Sequence, residues 1–254
     1  MSRDNIQMML APPLTPVAGL DAALADQGFA VIDAQGLRGL LGARPEDLAD
    51  WPAYWDRLPA DHYLRDGGHY RYRRHSCFIV EGSHVTQVAH RPHWQPVSYN
   101  ALHGGIERHF EPIEPTLVAD PFWSRWLVAL AARATALRGP RAWYVEAHPF
   151  RIDTTDGIGR PTPEGAHRDG VDLVTVTLIN RVGIKGGETR VFAAEGREGQ
   201  RFTLSEPFST MLLDDTRVIH ESTPIQPLDP GVRGHRDTLV LTFRAGSFQG
   251  PDNS

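Results

Sequence analysis

Apolar residues recur at helical spacing over Leu20–Gln27, and Gly28 stops the repeat before Phe29-Ala30-Val31-Ile32, which predicts a short strand. Residues 34–64 predict mostly helix of surface-like composition, anchored by Trp51, Tyr54 and Trp55. Alternation over His69–Arg74 predicts a strand entered from a turn at Gly67-Gly68. Residues 82–113 are polar, carry His84, His90, His93, His103 and His109, and predict loop with short elements. From Pro115 to Leu137 the spacing of Leu117, Phe122, Trp126, Leu127 and Leu130 predicts the clearest helix of the chain, ended by Gly139-Pro140.

After residue 140 the pattern changes. Trp143–Ile152, Val171–Ile179, Glu188–Phe192, Thr210–Leu213 and Thr238–Phe243 are short runs rich in Val, Thr, Leu, Ile and aromatics. Turns at Asp156-Gly157, Lys185-Gly186-Gly187 and Leu228-Asp229-Pro230-Gly231 separate them. Many short strands with frequent turns predict a sandwich or open barrel. The expectation is an α+β chain forming a single domain over 1–254. Its mixed helical and strand N-terminal half (1–140) packs on a β core (141–246) of the double-stranded β-helix, or jelly-roll, type.

Composition narrows the function classes. A net charge of −5 lends no support to nucleic acid or an anionic membrane as a partner. The single cysteine, Cys77, excludes an intramolecular disulfide and any Cys-based zinc or iron–sulfur cage, and it reads as a small buried core residue. No apolar run approaches the length of a membrane span, and the Met1–Leu10 segment lacks the pattern of a secretory signal, so a cytoplasmic protein is expected. Twelve histidines make a metal the first chemistry to look for.

His-x-Asp occurs twice, as His167-Arg168-Asp169 and as His235-Arg236-Asp237. Only the first has a further histidine downstream at a strand, His220. In extended chain, residues i and i+2 point to the same side, so His167 and Asp169 can grip one ion while a distant strand adds His220. Two histidines and one carboxylate on one face of a metal leave three positions open, the arrangement of non-haem Fe(II) oxygenases. An oxygenase using 2-oxoglutarate needs an anchor for that molecule's distal carboxylate, and an Arg fork matches it. Arg236 opens the last predicted strand and shares a face with Thr238, Val240 and Thr242; Arg244 has the same parity and competes for the role. After the first motif, Asp169, Val171, Leu173, Thr175 and Thr177 are expected to form the inner face, with Val174, Val176 and Leu178 outside. Tyr144, Glu146 and His148 alternate on one strand face and are candidates to line a substrate pocket.

Several blocks together resemble the bacterial 2-oxoglutarate/Fe(II)-dependent dioxygenases that include L-isoleucine 4-hydroxylase. They are Pro161-Thr-Pro-Glu-Gly-Ala-His167-Arg-Asp169-Gly, Gly186-Gly-Glu-Thr189, Asp214-Asp215 with His220, and Arg236-Asp-Thr-Leu-Val-Leu-Thr-Phe-Arg244. The resemblance spans most of residues 65–244. It implies His167, Asp169 and His220 as Fe(II) ligands and Arg236 as the 2-oxoglutarate anchor. It also implies O2 as second cosubstrate, and hydroxylation of a free L-amino acid with release of succinate and CO2. For such a substrate Glu146, His148 and Arg151 are the candidate contacts, beside Arg73, Arg74 and Asp172. His148-Pro149 departs from the family pattern, which has Gln there, and leaves substrate identity open.

Two other readings stand beside this one: a hydrolase holding Zn(II) in the same three residues, and a catalytically silent β-helix that binds a small molecule or protein. A kinase reading of His-Arg-Asp fails, because position 174 is Val and 242 is Thr where Asn is needed. His84, His90 and His93 read as solvated loop histidines, and Asp214-Asp215 as a turn before the ligand strand.

Overall fold

Residues 9–100 and 102–251 are described by a computed structural model; most of the Met1–Leu10 run therefore lies outside the described residues. Its helices are α1 (Leu20–Gln27), α2 (Ala34–Leu41), α3 (Pro115–Val118) and α4 (Pro121–Arg138). None is long and apolar enough to cross a membrane. Its strands are β1 (Phe29–Ile32), β2 (Arg71–Arg73), β3 (Ser76–Glu81), β4 (His84–Gln87), β5 (Trp143–Asp153), β6 (Leu173–Val182) and β7 (Ile184–Gly186). They continue with β8 (Thr189–Ala193), β9 (Gly199–Phe202), β10 (Thr210–Asp214), β11 (Val218–Ser222), β12 (Ile225–Pro227) and β13 (His235–Ala245).

The named strands pair antiparallel, and one isolated parallel bridge joins Leu14 to Val31. A large sheet runs β1-β10-β6-β13-β5-β3-β4, with β2 also on β5; β11-β8-β9 and β12-β7 form smaller sheets. An isolated bridge between His167 and His220 ties the loop before β6 to β11. This mixed, antiparallel architecture is the jelly-roll type expected from the sequence.

Local chemistry sets the boundaries. Gly28 ends α1 at φ +78°, and a Cβ there would lie 2.8 Å from Val218 Cγ1, so only glycine fits. Asp120 caps α4 by accepting from the Phe122 amide at 2.8 Å, and Pro121 takes the first helical position. That cap divides the helix expected over 115–137 into α3 and α4. The other Asp120 oxygen accepts from Trp51 Nε1 at 3.1 Å, fixing the connection from α2 against α4.

One face of the large sheet is covered by the helices. Leu24, Leu37, Trp51, Trp55, Trp126 and Leu130 meet Val145, Leu239, Leu241 and Phe243 there. The residue 34–64 segment is thus not a surface layer: Trp51 and Trp55 are both 1% exposed, and Trp51 stacks on Trp126 at 4.9 Å. Burying such rings contributes on the order of 2–3 kcal/mol each. A second cluster, with Val31, Val174, Val176, Leu178, Phe202 and Val218, fills the space between the large sheet and β8–β11.

The facing of β6 is the reverse of the sequence expectation. Val174, Val176 and Leu178 point inward, whereas Leu173 belongs to the helix-covered cluster. Gly170 has φ +77°, and bends occupy residues 170–172, so the alternation that starts at His167 and Asp169 is lost before β6 begins. On β13 the alternation holds: Arg236, Thr238, Val240, Thr242 and Arg244 line the same cavity as Tyr144, Glu146, His148, Phe150 and Ile152 of β5.

A candidate metal centre and its cavity

His167, Asp169 and His220 bring one ligand atom each to within 4.8 Å of one another at the cavity wall. His167 Nε2 lies 3.8 Å from Asp169 Oδ1, and His220 Nε2 3.9 Å from Asp169 Oδ2. His167 Nδ1 donates to the Gly165 carbonyl at 2.9 Å, which leaves Nε2 as the free nitrogen facing its partners. Paired backbone hydrogen bonds of 3.1 and 3.0 Å between His167 and His220 hold the two histidines together. Burial, with His167 beside it, pushes His220 down to about 3, so its imidazole is neutral and ready to ligate. At His167 burial pulls the same way, but the carboxylates of Asp169 and Glu164 outweigh it and raise the pKa. Two imidazoles and one carboxylate, with His167 Nδ1 and Asp169 Oδ1 oriented by protein hydrogen bonds, fit a divalent transition ion with open positions.

The loop carrying Asp169 is held by Asp215. Its carboxylate accepts from the amides of Asp169 at 3.0 Å, Gly170 at 2.7 Å and Val171 at 3.0 Å. Asp215 does lie in a turn, as expected, but it is buried, and burial together with Asp169 raises it to about 7. Gln249 Nε2 donates to the carbonyls of Asp169 and Gly170, and Gln95 Nε2 to Asp169 Oδ1 at 3.1 Å. Neither glutamine stood out in the sequence.

Arg236 lines the cavity, is 4% exposed, and its Nε has no hydrogen-bond partner. Burial, with Arg181 adding to it, brings it down to about 10, so an anion is the partner it lacks. Arg181 stands beside it because the register between β13 and β6 shifts at Asp237/Thr238, pairing Arg236 with Arg181. Gly187 makes room for both: a Cβ there would lie 3.0 Å from Arg181 Nη1 and 3.7 Å from Arg236 Cδ. Arg244 also reaches the cavity, but its Nη1 is taken by the Ser247 carbonyl at 2.8 Å and hydroxyl at 3.0 Å.

The opposite wall is polar and densely connected. Glu146 Oε2 receives His75 Nε2 at 3.0 Å and His93 Nδ1 at 2.5 Å, with His148 Nε2 at 3.7 Å. His93 is therefore a buried member of a network rather than a solvated loop residue. By distance these four residues could also hold a metal. Hydrogen-bond chemistry argues otherwise. Arg73 Nη2, which can only donate, lies 2.6 Å from His148 Nδ1, so the His148 proton sits on Nε2 and occupies the atom a metal would need. Arg73 is clamped between the rings of Phe110 and Phe150, at 3.9 and 4.2 Å from their centroids. Arg108, buried with an unpartnered Nε, completes this wall.

Glu146 and His148 thus line the cavity, as does Arg73. Arg151 does not. Being odd-numbered on β5, it projects to the other face, where Nε and Nη2 grip Asp237 at 2.7 and 2.8 Å and Nη2 also meets Asp56. Asp172 is likewise engaged elsewhere, by Arg138 and the Ala245 amide, and Arg74 turns to Glu111. His235, of the second His-x-Asp copy, lies 3.5 Å from that same Asp237 and is not among the cavity residues. Cys77 is buried, as expected, and burial raises its thiol.

Comparison with known proteins agrees with this geometry. Residues 52–242 match the family described as 2OG-Fe dioxygenase. A crystal structure of a bsmA homolog from Methylobium petroleophilum PM1 is 52% identical, with a TM-score of 0.89 over 95% of this chain and 98% of that one. IDO from Bacillus thuringiensis shares the fold at 18% identity, with a TM-score of 0.72 over 96% of this chain and 100% of that one. So does the Fe(II)/(alpha)ketoglutarate-dependent dioxygenase TqaL, at 20% identity and a TM-score of 0.68 over 92% and 88% of the two chains. No curated protein matches the chain.

Proposed function

The chain belongs to the 2OG-Fe dioxygenase family, and from that footing we propose that it hydroxylates an unactivated C–H bond of a free L-amino acid, with His167, Asp169 and His220 holding the iron and Arg236 holding 2-oxoglutarate. The family's cofactor is Fe(II), and its cosubstrates are 2-oxoglutarate and O2. When bound, the iron supplies the oxidising chemistry, turning 2-oxoglutarate into succinate and CO2.

The chain's own residues orient, charge-match and keep dry. Gly165, Gln95 and Asp215 fix the ligand atoms. Arg236, with no carboxylate of its own in hydrogen-bond contact, meets the distal carboxylate of 2-oxoglutarate in a buried strand-lined end of the cavity. The wall across from it carries both signs of charge. Arg73 and Arg108 suit a substrate carboxylate. Glu146, whose two imidazole donors both use Oε2, keeps Oε1 for an ammonium group. Phe150, Val171 and Phe248 offer apolar surface for a side chain. The observation that carries this reading is the juxtaposition, in one cavity, of the His–Asp–His cluster, an unpaired buried arginine and a wall of mixed charge.

The test begins anaerobically with Fe(II)-loaded protein. Adding 2-oxoglutarate is expected to produce a weak visible charge-transfer band, and His167→Ala or His220→Ala to remove it, whereas His235→Ala keeps it. Succinate release is then screened over the free L-amino acids. A band unaffected by His167→Ala overturns the ligand assignment. Succinate release stimulated by no amino acid overturns the substrate class. The Zn(II) hydrolase alternative has no observation in its favour here.

A further inference from the structure

Gln95 joins two parts of the cavity that the reading above treats separately. Its orientation follows from its neighbours. The His103 amide donates to Asn100 Oδ1 at 2.7 Å, so the Asn100 amino group faces Gln95 and donates to its Oε1 at 3.1 Å. Arg108, which has only donors, gives Nη2 to that same oxygen at 2.9 Å. With two donors on Oε1, the Gln95 amino group must point the other way, and it donates to Asp169 Oδ1 at 3.1 Å.

The loop that presents it is built tightly. The Gly104 and Gly105 amides close back on the Asn100 and Gln95 carbonyls at 2.8 Å each. A Cβ on Gly104 would lie 2.4 Å from the Asn100 carbonyl oxygen. The residues around the amide thus leave it one orientation, running from an anion-seeking guanidinium to a metal-ligand carboxylate.

We infer that Gln95 is a positioning residue that couples the Arg108 subsite to the metal ligand Asp169, so that the affinities for metal and for the substrate anion are linked through its amide. The inference rests on the reading above in taking His167, Asp169 and His220 as ligands and Arg108 as part of the substrate wall. Arg108 polarises the Gln95 amide, strengthening its donor to Asp169. An anion drawing on Arg108 alters that donor, and by linkage metal at Asp169 alters the anion's affinity in turn.

The experiment reads metal affinity without turnover. Ni(II) dissociation constants are measured by chelator competition on wild type, Gln95→Met, Arg108→Met and the double variant, with His167→Ala as reference and thermal melts of the metal-free proteins as folding control. Gln95→Met is expected to weaken Ni(II) about 10-fold. Arg108→Met is expected to weaken it about 3-fold when Gln95 is present and not at all in the Gln95→Met background. Gln95→Asn, too short to span both partners, should behave like Gln95→Met, so the result does not hang on one variant. Equal effects of Arg108→Met in both backgrounds, or unchanged Ni(II) binding in the Gln95 variants, would overturn the coupling while leaving the ligand assignment standing. Undiminished Ni(II) binding by His167→Ala would remove the assignment and the coupling with it.

Discussion

Asp215 cradles the backbone of Asp169: its carboxylate takes the Asp169 amide at 3.0 Å and the next two amides as well. Three converging N–H groups make a small anion nest, here filled from within the chain. Asp215→Asn keeps the shape but turns one acceptor into a donor that opposes an amide. The expected result is a 10–100-fold loss of metal affinity with the fold retained. Asp215→Ala, leaving three amides without partner, is expected to lower stability by about 1–3 kcal/mol as well. Chelator competition and urea unfolding separate the two effects.

Arg236→Ala is expected to raise the apparent 2-oxoglutarate constant at least ~30-fold, the loss of one side of a charge-assisted pair in a buried site. Arg236→Lys should fall between, since it restores charge without the fork. Arg244→Ala should change little, because Ser247 already holds that guanidinium. Calorimetric titration of 2-oxoglutarate into Ni(II)-loaded variants decides it. A large rise for Arg244→Ala with none for Arg236→Ala reverses the assignment.

Arg151 offers a prediction about stability rather than binding. Asp237, its partner, is buried, and burial holds its pKa above the ordinary value despite Arg151. Removing the guanidinium strands that carboxylate, at a cost of about 3–5 kcal/mol. Arg151→Ala should therefore shift the urea midpoint strongly while Ni(II) affinity stays within a factor of two or so. Loss of metal or 2-oxoglutarate binding at unchanged stability would contradict this.

Acid should destabilise the metal-free protein at a pH above the range of ordinary carboxylates. Burial first, then nearby arginines or histidines, lowers His75, His103 and His148, and burial lowers His93; His93 comes down to about 3 and His103 to about 4. The unfolded chain takes up these protons near pH 6.5, and the folded chain refuses them until far lower pH. Stability is therefore whole above about pH 6.5 and falls as pH drops toward the folded values, by ~1.4 kcal/mol per pH unit for each such histidine. His103→Gln should make the dependence between pH 5 and 6 shallower by about one proton. A flat profile in that interval would show that these histidines are protonated in the fold.

The strand β1 was legible to the residue, and so was the inward face of β13, because strict alternation over a long strand leaves one solution. That His167, Asp169 and His220 come together was legible because i,i+2 spacing pairs the first two and His220 follows a strand-like run downstream. The inner face of β6 was not, since the bends at residues 170–172 reset parity without marking which way. Gln95 could not be found: a lone glutamine in a polar loop has no period, and its partner Asp169 is 74 positions away. Arg151 lies on the face its parity dictates. Its odd position on a strand whose even residues are Glu146 and His148 already puts it on the opposite face.

Strand β5 contributes cavity side chains from one face, core side chains from the other, and none of the His–Asp–His cluster. Tyr144 and Phe150, at the two ends of its polar stretch, make no hydrogen bond to Glu146 and do not hold His167, Asp169 or His220 in place. Such positions are evolvable. A chain of this kind can change what it accepts by exchanging a single ring, while the His–Asp–His cluster stays as it was.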